Sequence, residues 1–179
     1  RYRWLGWSDT GALMFDSPNG TQYIQADAVI LACGGASWPR LGSNGAWLPV
    51  LQQQGITVLP LQAANCGFDS HWSAEFSQKF AGHPVKSGVL GFVDKTGQTH
   101  SKQGDFVVTA TGIEGSLVYA LSRSLRETIN QNGQVTVYLD LVPHKSVAQI
   151  LTILAKPRGS NSLANYLRKQ LAIDGVKAG

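Results

Sequence analysis

The stretch DAVILACGGASWPRLGSNG, residues 27–45, decides the predicted fold. Its first part, residues 28–33, is six consecutive apolar residues without alternation, which is typical of a strand buried on both faces of a parallel sheet. The run stops at Gly34 and Gly35, and a loop rich in Gly, Ser, Pro and Asn follows. A helix is predicted over residues 46–54, with Gly55 as its C-cap. The order is therefore strand, glycine loop, helix.

Such a loop is a candidate cofactor contact. Ligands of open α/β sheets bind at the carboxyl ends of strands, and glycines there let the backbone approach a ligand closely. The N-terminus of the following helix offers free N–H groups to a phosphate or an electron-rich ring. A plain strand-to-helix turn uses glycines too, and the spacing is not GxGxxG, so the residues alone leave both interpretations open.

Short strands are predicted before this stretch. Aromatic and alternating residues over 2–8, 12–15 and 21–25 indicate strands, and Ser-Asp-Thr-Gly at 8–11 and Ser-Pro-Asn-Gly at 17–20 are turn sequences. The expected arrangement is a three-stranded antiparallel meander.

A second unit of strands and helices is predicted after it. Strands are expected over residues 56–69, 86–93, 106–110 and 135–141, which favours a small β-barrel or sandwich. Residues 115–129 carry an apolar stripe at helical spacing, and residues 146–155 and 161–173 are predicted as two further helices. The stripe consists of Leu117, Val118, Leu121, Leu125 and Ile129.

Composition restricts the class of protein. The 179 residues are 43% hydrophobic and 15% charged, which argues against a disordered chain or a charged coiled coil. No apolar stretch approaches the roughly 18 residues of a membrane span, so no membrane partner is expected. The chain opens at Arg1 without a Met or a signal peptide, and we expect it to be a piece of a longer polypeptide. Cys33 and Cys66 lack CxxC spacing, so both thiols are predicted to be free and the location cytoplasmic.

Charge is concentrated towards the C-terminus. The net charge is +4 and the sequence pI about 9.2. From residue 120 onward the chain contains eight Lys or Arg and three acidic residues, whereas the first 119 residues contain seven basic and eight acidic ones. This distribution is consistent with a solvated helical surface, and nucleic acid is not the favoured partner. It also leaves an alternative function open, a non-catalytic binding module whose basic C-terminal third docks an acidic partner or nucleic acid.

The sequence lacks the motifs of metal sites, serine hydrolases and P-loop proteins. His71, His83, His100 and His144 lie on different predicted elements without metal-ligand spacing, so no metal site is predicted. No GxSxG surrounds a serine, and there is no P-loop.

Three motifs in order resemble one family. They are Ala-Cys-Gly-Gly-Ala-Ser-Trp-Pro-Arg-Leu-Gly-Ser-Asn-Gly at 32–45, Thr-Ala-Thr-Gly-Ile-Glu-Gly-Ser at 109–116 and Leu-Asp-Leu-Val-Pro at 139–143. Together with the aromatic meander, they are similar to the HI0933-like flavoproteins, also called BaiN-like or YhiN-like NAD(P)/FAD-dependent oxidoreductases. Cys33, Trp38 and Ser116 depart from that family's usual Thr, Tyr and Pro.

The resemblance implies a fold and a division of the chain. The fold class is α+β, in which an FAD-domain meander and sheet strand are followed by an inserted β-barrel-like domain with helices. Residues 1–45 would belong to the FAD-binding domain, residues 46–145 to the inserted domain on the substrate side, and residues 146–179 to the start of a helical subdomain. The chain would then be a central part of its protein, with the remaining polypeptide as its partner.

The resemblance also implies a function and a set of cofactor contacts. The parent protein would be an FAD-dependent oxidoreductase with an unknown small-molecule substrate, and NAD(P)H is a candidate electron donor. The catalytic residues and the enzymatic status of these 179 residues alone stay open. We expect these residues not to retain FAD, because the dinucleotide-binding GxGxxG is not among them. The implied cofactor-binding residues are Gly34, Gly35, Ala36, Ser37, Trp38, Gly42, Ser43 and Gly45.

Overall fold

The computed structural model describes residues 2–179 and contains both helices and antiparallel sheets, which confirms the α+β class. The chain forms two compact units that divide between Ala63 and Ala64. We call residues up to Ala63 the N-terminal unit and Ala64–Gly179 the C-terminal unit, and each is described by itself. The three-part division at residues 45 and 145 stays a prediction.

The N-terminal unit begins with the predicted meander. Strands β1 (Arg3–Trp7), β2 (Leu13–Ser17) and β3 (Gly20–Ile24) pair antiparallel in chain order. The register between β1 and β2 shifts between Trp4 and Gly6, where a bulge bends the edge strand. Helix α1 (Trp47–Gln53) packs near this strand, since a Cβ at Gly6 would lie only 3.0 Å from Cγ1 of Val50.

The predicted buried strand over residues 28–33 is wrong. The segment has no regular secondary structure, all six residues are exposed, and the Ile30 side chain is 92% exposed. A strand inside a parallel sheet needs hydrogen-bonding neighbours on both sides. The described part of the chain pairs no strand with this segment, so its backbone has no ladder to join.

The C-terminal unit is built on a five-stranded antiparallel sheet. Its strands lie in the order β4-β7-β6-β5-β8, and the first and last are not paired, so the sheet is an open half-barrel. The long hairpin of β5 and β6 forms its centre, and β8 pairs with the outer edge of β5. The bounds are β4 Phe68–Asp69, β5 Pro84–Val93, β6 Thr99–Val108, β7 Gly112–Glu114 and β8 Val137–Asp140.

Several predicted boundaries in this unit are corrected. Only Phe68–Asp69 of the expected strand over 56–69 forms, because the residues before it find no strand partner. The strand predicted over 106–110 begins at Thr99, since pairing with β5 extends through polar residues that show no apolar alternation. Helix α2 (Ala74–Phe80) and strand β7 were missed by the sequence reasoning, although Ser73 is an N-cap that accepts from the Phe76 N–H.

A single hydrophobic cluster joins the sheet to helix α3 (Ser116–Asn132). Four of the five residues in the predicted stripe are buried in it, and Ile129 is half-buried. Their partners lie on β5 and β6. The spacing of apolar residues at the helical period of 3.6 therefore predicted correctly which face of α3 covers the sheet. The cluster comprises Val85, Leu90, Phe92, Phe106, Val108, Leu117, Val118, Leu121 and Leu125.

Two short helices follow, as predicted. Helix α4 (Val147–Leu154) begins with a capping box between Ser146 and Gln149, and helix α5 (Leu163–Leu171) begins at the N-cap Ser162. The hydroxyl of Tyr166 on α5 donates to the carbonyls of Ile153 and Lys156, which fixes the turn between the helices. Among the helices of residues 2–179, none is long and apolar enough to cross a bilayer.

Candidate functional site

The glycine loop of the N-terminal unit has a defined shape. Trp38 and Ser43 exchange two backbone hydrogen bonds, 3.0 Å and 3.2 Å between N and O, which close a tight hairpin. Pro39–Leu41 forms one 3-10 turn inside it, and Gly42 ends that turn in the left-handed region with φ +91°. That conformation is strained for residues with a Cβ, so the sequence needs glycine at 42.

A second closure joins the two ends of the loop. The N–H of Gly45 donates to the carbonyl of Gly35 at 3.2 Å. Gly45 is buried with φ +70°, and a Cβ there would lie 2.9 Å from the Cβ of Ala36. Gly45 therefore has a structural role, because any side chain would push the start of the loop away from its end.

The first arm of the loop, residues 34–37, has backbone N–H groups that are free to donate hydrogen bonds. No hydrogen bond among the described residues engages the N–H groups of Gly34, Gly35, Ala36 or Ser37. The surroundings are open, since a Cβ at Gly35 would meet only the Ser43 hydroxyl oxygen at 3.7 Å, and one at Gly42 would meet nothing within 4 Å. Exposed N–H groups of this kind donate hydrogen bonds to an anion or to the polar edge of a ring.

Two side chains of the loop, those of Trp38 and Ser43, are candidates for ligand contact. The indole of Trp38 is 62% exposed. The Ser43 hydroxyl lies beside Gly34 and Gly35 and makes no hydrogen bond within residues 2–179. The loop thus brings the eight predicted cofactor residues into one short hairpin, while their contact with a cofactor stays a prediction.

Cys33 is exposed, contrary to the sequence prediction. The buried strand predicted over residues 28–33 would bury Cys33, whereas the structure places an exposed free thiol directly before the loop. Its exposure follows from the missing strand over residues 28–33.

The second family-like motif, residues 109–116, forms a structural turn between β6 and α3. The N–H of Gly112 donates to the Thr109 hydroxyl at 2.9 Å, and a Cβ at Gly112 would overlap the carbonyl oxygen of Phe68. Gly115, with φ +109°, then directs the chain into α3. These two glycines allow close approach of backbone segments, so their role in this motif is structural.

Sequence reasoning missed the partners of that turn. The Trp72 indole N–H donates to the Gly112 carbonyl at 3.0 Å, and Ser77 donates to the Ala110 carbonyl at 2.7 Å. The two partners lie 40 and 33 residues earlier, in the segment around α2. Only the tertiary fold brings them to the turn.

The third motif, residues 139–143, ends the edge strand β8. The Asp140 carboxylate accepts the N–H of Val142 at 2.8 Å, which turns the chain, and Lys177 donates to the Leu141 carbonyl at 3.2 Å. These contacts are local turn chemistry.

Carboxylates with shifted pKa values lie on the sheet and on α3. Hydrogen bonds from Thr96, followed by His100, hold the pKa of Asp94 well below its usual range. The Lys86 ammonium and the Ser87 N–H lower the pKa of Asp105, and hydrogen bonding from Arg123 lowers that of Glu127. Each shifted group is satisfied by a named structural partner, so these carboxylates stabilise turns and the helix surface.

Among residues 2–179, no group of three or more His, Cys, Asp and Glu side chains could hold a metal ion.

Comparisons with known proteins confirm the family resemblance. A family model described as "HI0933-like protein barrel and H2TH domain" matches residues 62–179, which is the whole C-terminal unit and the two residues before it. The chain is also similar to a 3-dehydro-bile acid delta(4,6)-reductase of Clostridium scindens, with 28% identity over 131 residues. That similarity covers 72% of this chain and 31% of the reductase, so the chain corresponds to about a third of the relative's length.

Proposed function

Because the chain belongs to the HI0933-like family, we propose that its protein is an FAD-dependent oxidoreductase and that the loop of residues 34–45 contacts the flavin cofactor. The observation that carries the proposal is the run of four free N–H groups on the open arm of this loop. The name of the bile acid relative, a reductase, supports the reaction class.

The loop fits part of FAD. Gly34 and Gly35 let a flat ring approach the backbone, while the adjacent N–H groups are donors for its polar edge or for a phosphate. Trp38, the next residue after these donors in the chain, supplies an exposed aromatic side chain. When bound, FAD supplies hydride transfer, and the role of the loop is to orient the cofactor through backbone contacts.

The remaining cofactor contacts belong elsewhere in this proposal. The pyrophosphate of a dinucleotide is normally held by a GxGxxG turn, and no two glycines in the chain are separated by a single residue. We assign that turn to the remaining polypeptide and keep NAD(P)H as the candidate electron donor. The C-terminal unit then supplies a substrate-side domain.

Substitution of Gly35 in the full-length protein tests the cofactor contact. Gly35 lies outside the left-handed region, and a Cβ there makes only an ordinary 3.7 Å contact, so the loop itself tolerates a side chain. We expect Gly35→Leu to lose most bound flavin, and Gly35→Ala to weaken retention, because each holds the ring away from the backbone. The measurement is the ratio of flavin absorbance to protein after gel filtration.

Gly91→Ala is the matched control. Gly91 also lies outside the left-handed region, and its added Cβ would make an ordinary 3.5 Å contact, but it lies on β5. This variant should retain flavin like the unaltered protein. Equal retention in Gly35→Leu, with unchanged thermal stability, would contradict the loop assignment. A colourless full-length protein without FAD affinity would contradict the whole proposal.

Titration of FAD into the 179-residue chain tests the division of the site. We expect weak binding or none, since the loop covers only a small part of the cofactor. Flavin fluorescence follows the titration. A submicromolar dissociation constant would show that these residues hold the pyrophosphate as well.

A further inference from the structure

The C-terminal helical segment carries the positive charge of the molecule. Residues 145–179 contain six basic residues and one acidic residue, Asp174, for a net charge of +5, whereas the remaining chain has a net charge of −1. A domain pI above about 9 with clustered Lys and Arg is the electrostatic pattern of a nucleic-acid-binding surface, and the sequence pI is about 9.2.

Some cations of the C-terminal unit are paired with a carboxylate and others are not. Lys86, Lys95 and Arg123 each lie within 4.0 Å of a carboxylate. Within residues 2–179, no carboxylate lies that close to Lys156, Arg158 or Lys169. Cations without a carboxylate partner are not neutralised within the chain, so their charge is available to an external anion.

Hydrogen bonds order the turn that carries Lys156 and Arg158, and one of them involves Lys169. The Lys169 ammonium donates to the Asn161 side-chain oxygen at 2.9 Å, and the Asn161 amide group donates to the Arg158 carbonyl at 2.9 Å. The Tyr166 hydroxyl donates to the Lys156 carbonyl at 3.0 Å. We name Lys156, Arg158 and Lys169 the basic patch. Lys156 and Arg158 lie on the turn between α4 and α5, and the Lys169 ammonium on α5 is linked to that turn through Asn161.

We propose that the basic patch docks the phosphodiester backbone of a nucleic acid, as an interaction separate from the flavin chemistry. The charge complementarity is direct, because Asp174 is the only acidic residue between 145 and 179. Arg158 and Lys169 are phosphate-binding residue types, and Asn161 adds a neutral donor between them. The patch carries no exposed aromatic side chain for base stacking, so it recognises the backbone without sequence preference.

Salt-dependent binding tests this proposal. The probes are a fluorescein-labelled single-stranded RNA of mixed sequence, the same sequence as DNA, and labelled polyglutamate of equal charge. Anisotropy is followed with the 179-residue chain between about 50 and 200 mM salt. Each single-strand phosphate contact contributes a slope of about 0.7 in log K against log salt. The double variant Lys156→Gln/Arg158→Gln should therefore lower the slope by about 1.4 and raise Kd about 25-fold near 0.1 M salt.

The control is Lys79→Gln/Lys102→Gln, which removes the same charge from α2 and β6. It should bind nearly as well as the unaltered chain. Equal losses in both double variants would show a general charge effect and overturn the proposal. Tighter binding of polyglutamate than of both nucleic acids would overturn it in favour of an acidic protein partner. A difference between RNA and DNA would identify which backbone the patch prefers. Failure here leaves the flavin proposal untouched, because neither probe nor variant involves the glycine loop.

Discussion

Two apolar segments of the chain have opposite fates in the fold. Residues 28–33 are continuously apolar, yet they are exposed and irregular. Strand β5 contains two polar residues and two glycines in its interior, yet Leu90 and Phe92 on it are almost fully buried. The difference is the number of neighbours, since β5 pairs with both β6 and β8, whereas residues 28–33 have no paired strand. Apolar sequence becomes a buried strand only where a ladder and a covering face exist.

The largest expected effect on stability comes from removing a buried side chain of β5. Phe92→Ala should destabilise the C-terminal unit by about 3–5 kcal/mol, because it removes a side chain from the centre of the α3–sheet cluster. Ile30→Ala, in the exposed segment, should change stability by less than about 0.5 kcal/mol. Urea unfolding followed by circular dichroism measures both. A similar cost for the two variants would show that residues 28–33 are covered in solution. Should Phe92→Ala not fold, Val85→Ala gives the same comparison at lower cost.

A smaller effect is expected where glycine allows close approach. Gly112→Ala should destabilise the C-terminal unit by about 1–3 kcal/mol, because its Cβ overlaps the Phe68 carbonyl on the paired strand β4. Gly91→Ala should be within about 0.5 kcal/mol of the unaltered chain, since its Cβ makes only ordinary contacts. Thermal unfolding of the two variants distinguishes them. Equal melting temperatures would mean that β4 does not pair with β7 in solution.

The smallest effect concerns pH and the β5–β6 hairpin. The pKa of Asp94 is held below its usual value by Thr96 and His100, so the folded state binds the proton of this group less tightly than the unfolded state does. The stability that this carboxylate contributes is therefore present above about pH 4 and is lost as the pH falls further. The two test values, pH 5 and pH 3, lie about one unit above and below the pKa of the unfolded state. The free energy of unfolding should fall less between them in Asp94→Asn than in the unaltered chain. Urea midpoints at the two pH values test this, and an unchanged acid dependence would exclude Asp94 as a contributor.

The candidate site was predictable to the extent that it is local. The glycine loop and its turn positions follow one another in sequence, so residue type identified the loop, whereas the family resemblance implied its eight cofactor residues. The closure of the loop through Trp38 and Ser43 could not be predicted, because it depends on backbone angles at Pro39–Leu41 and Gly42. The exposure of Cys33 was missed for a different reason, since it depends on whether a distant strand is present.

The sequence by itself determined the meander, the helices α1, α3, α4 and α5, and the face of α3 that is buried, because periodicity and turn residues act over a few positions. Only the tertiary structure decided that residues 28–33 form no strand, that β6 extends back to Thr99, and that Trp72 and Ser77 hold the turn before α3. These features depend on pairing between segments far apart in the chain. A local pattern sets which backbone shapes are favourable, whereas the partners available in space decide which hydrogen bonds are made.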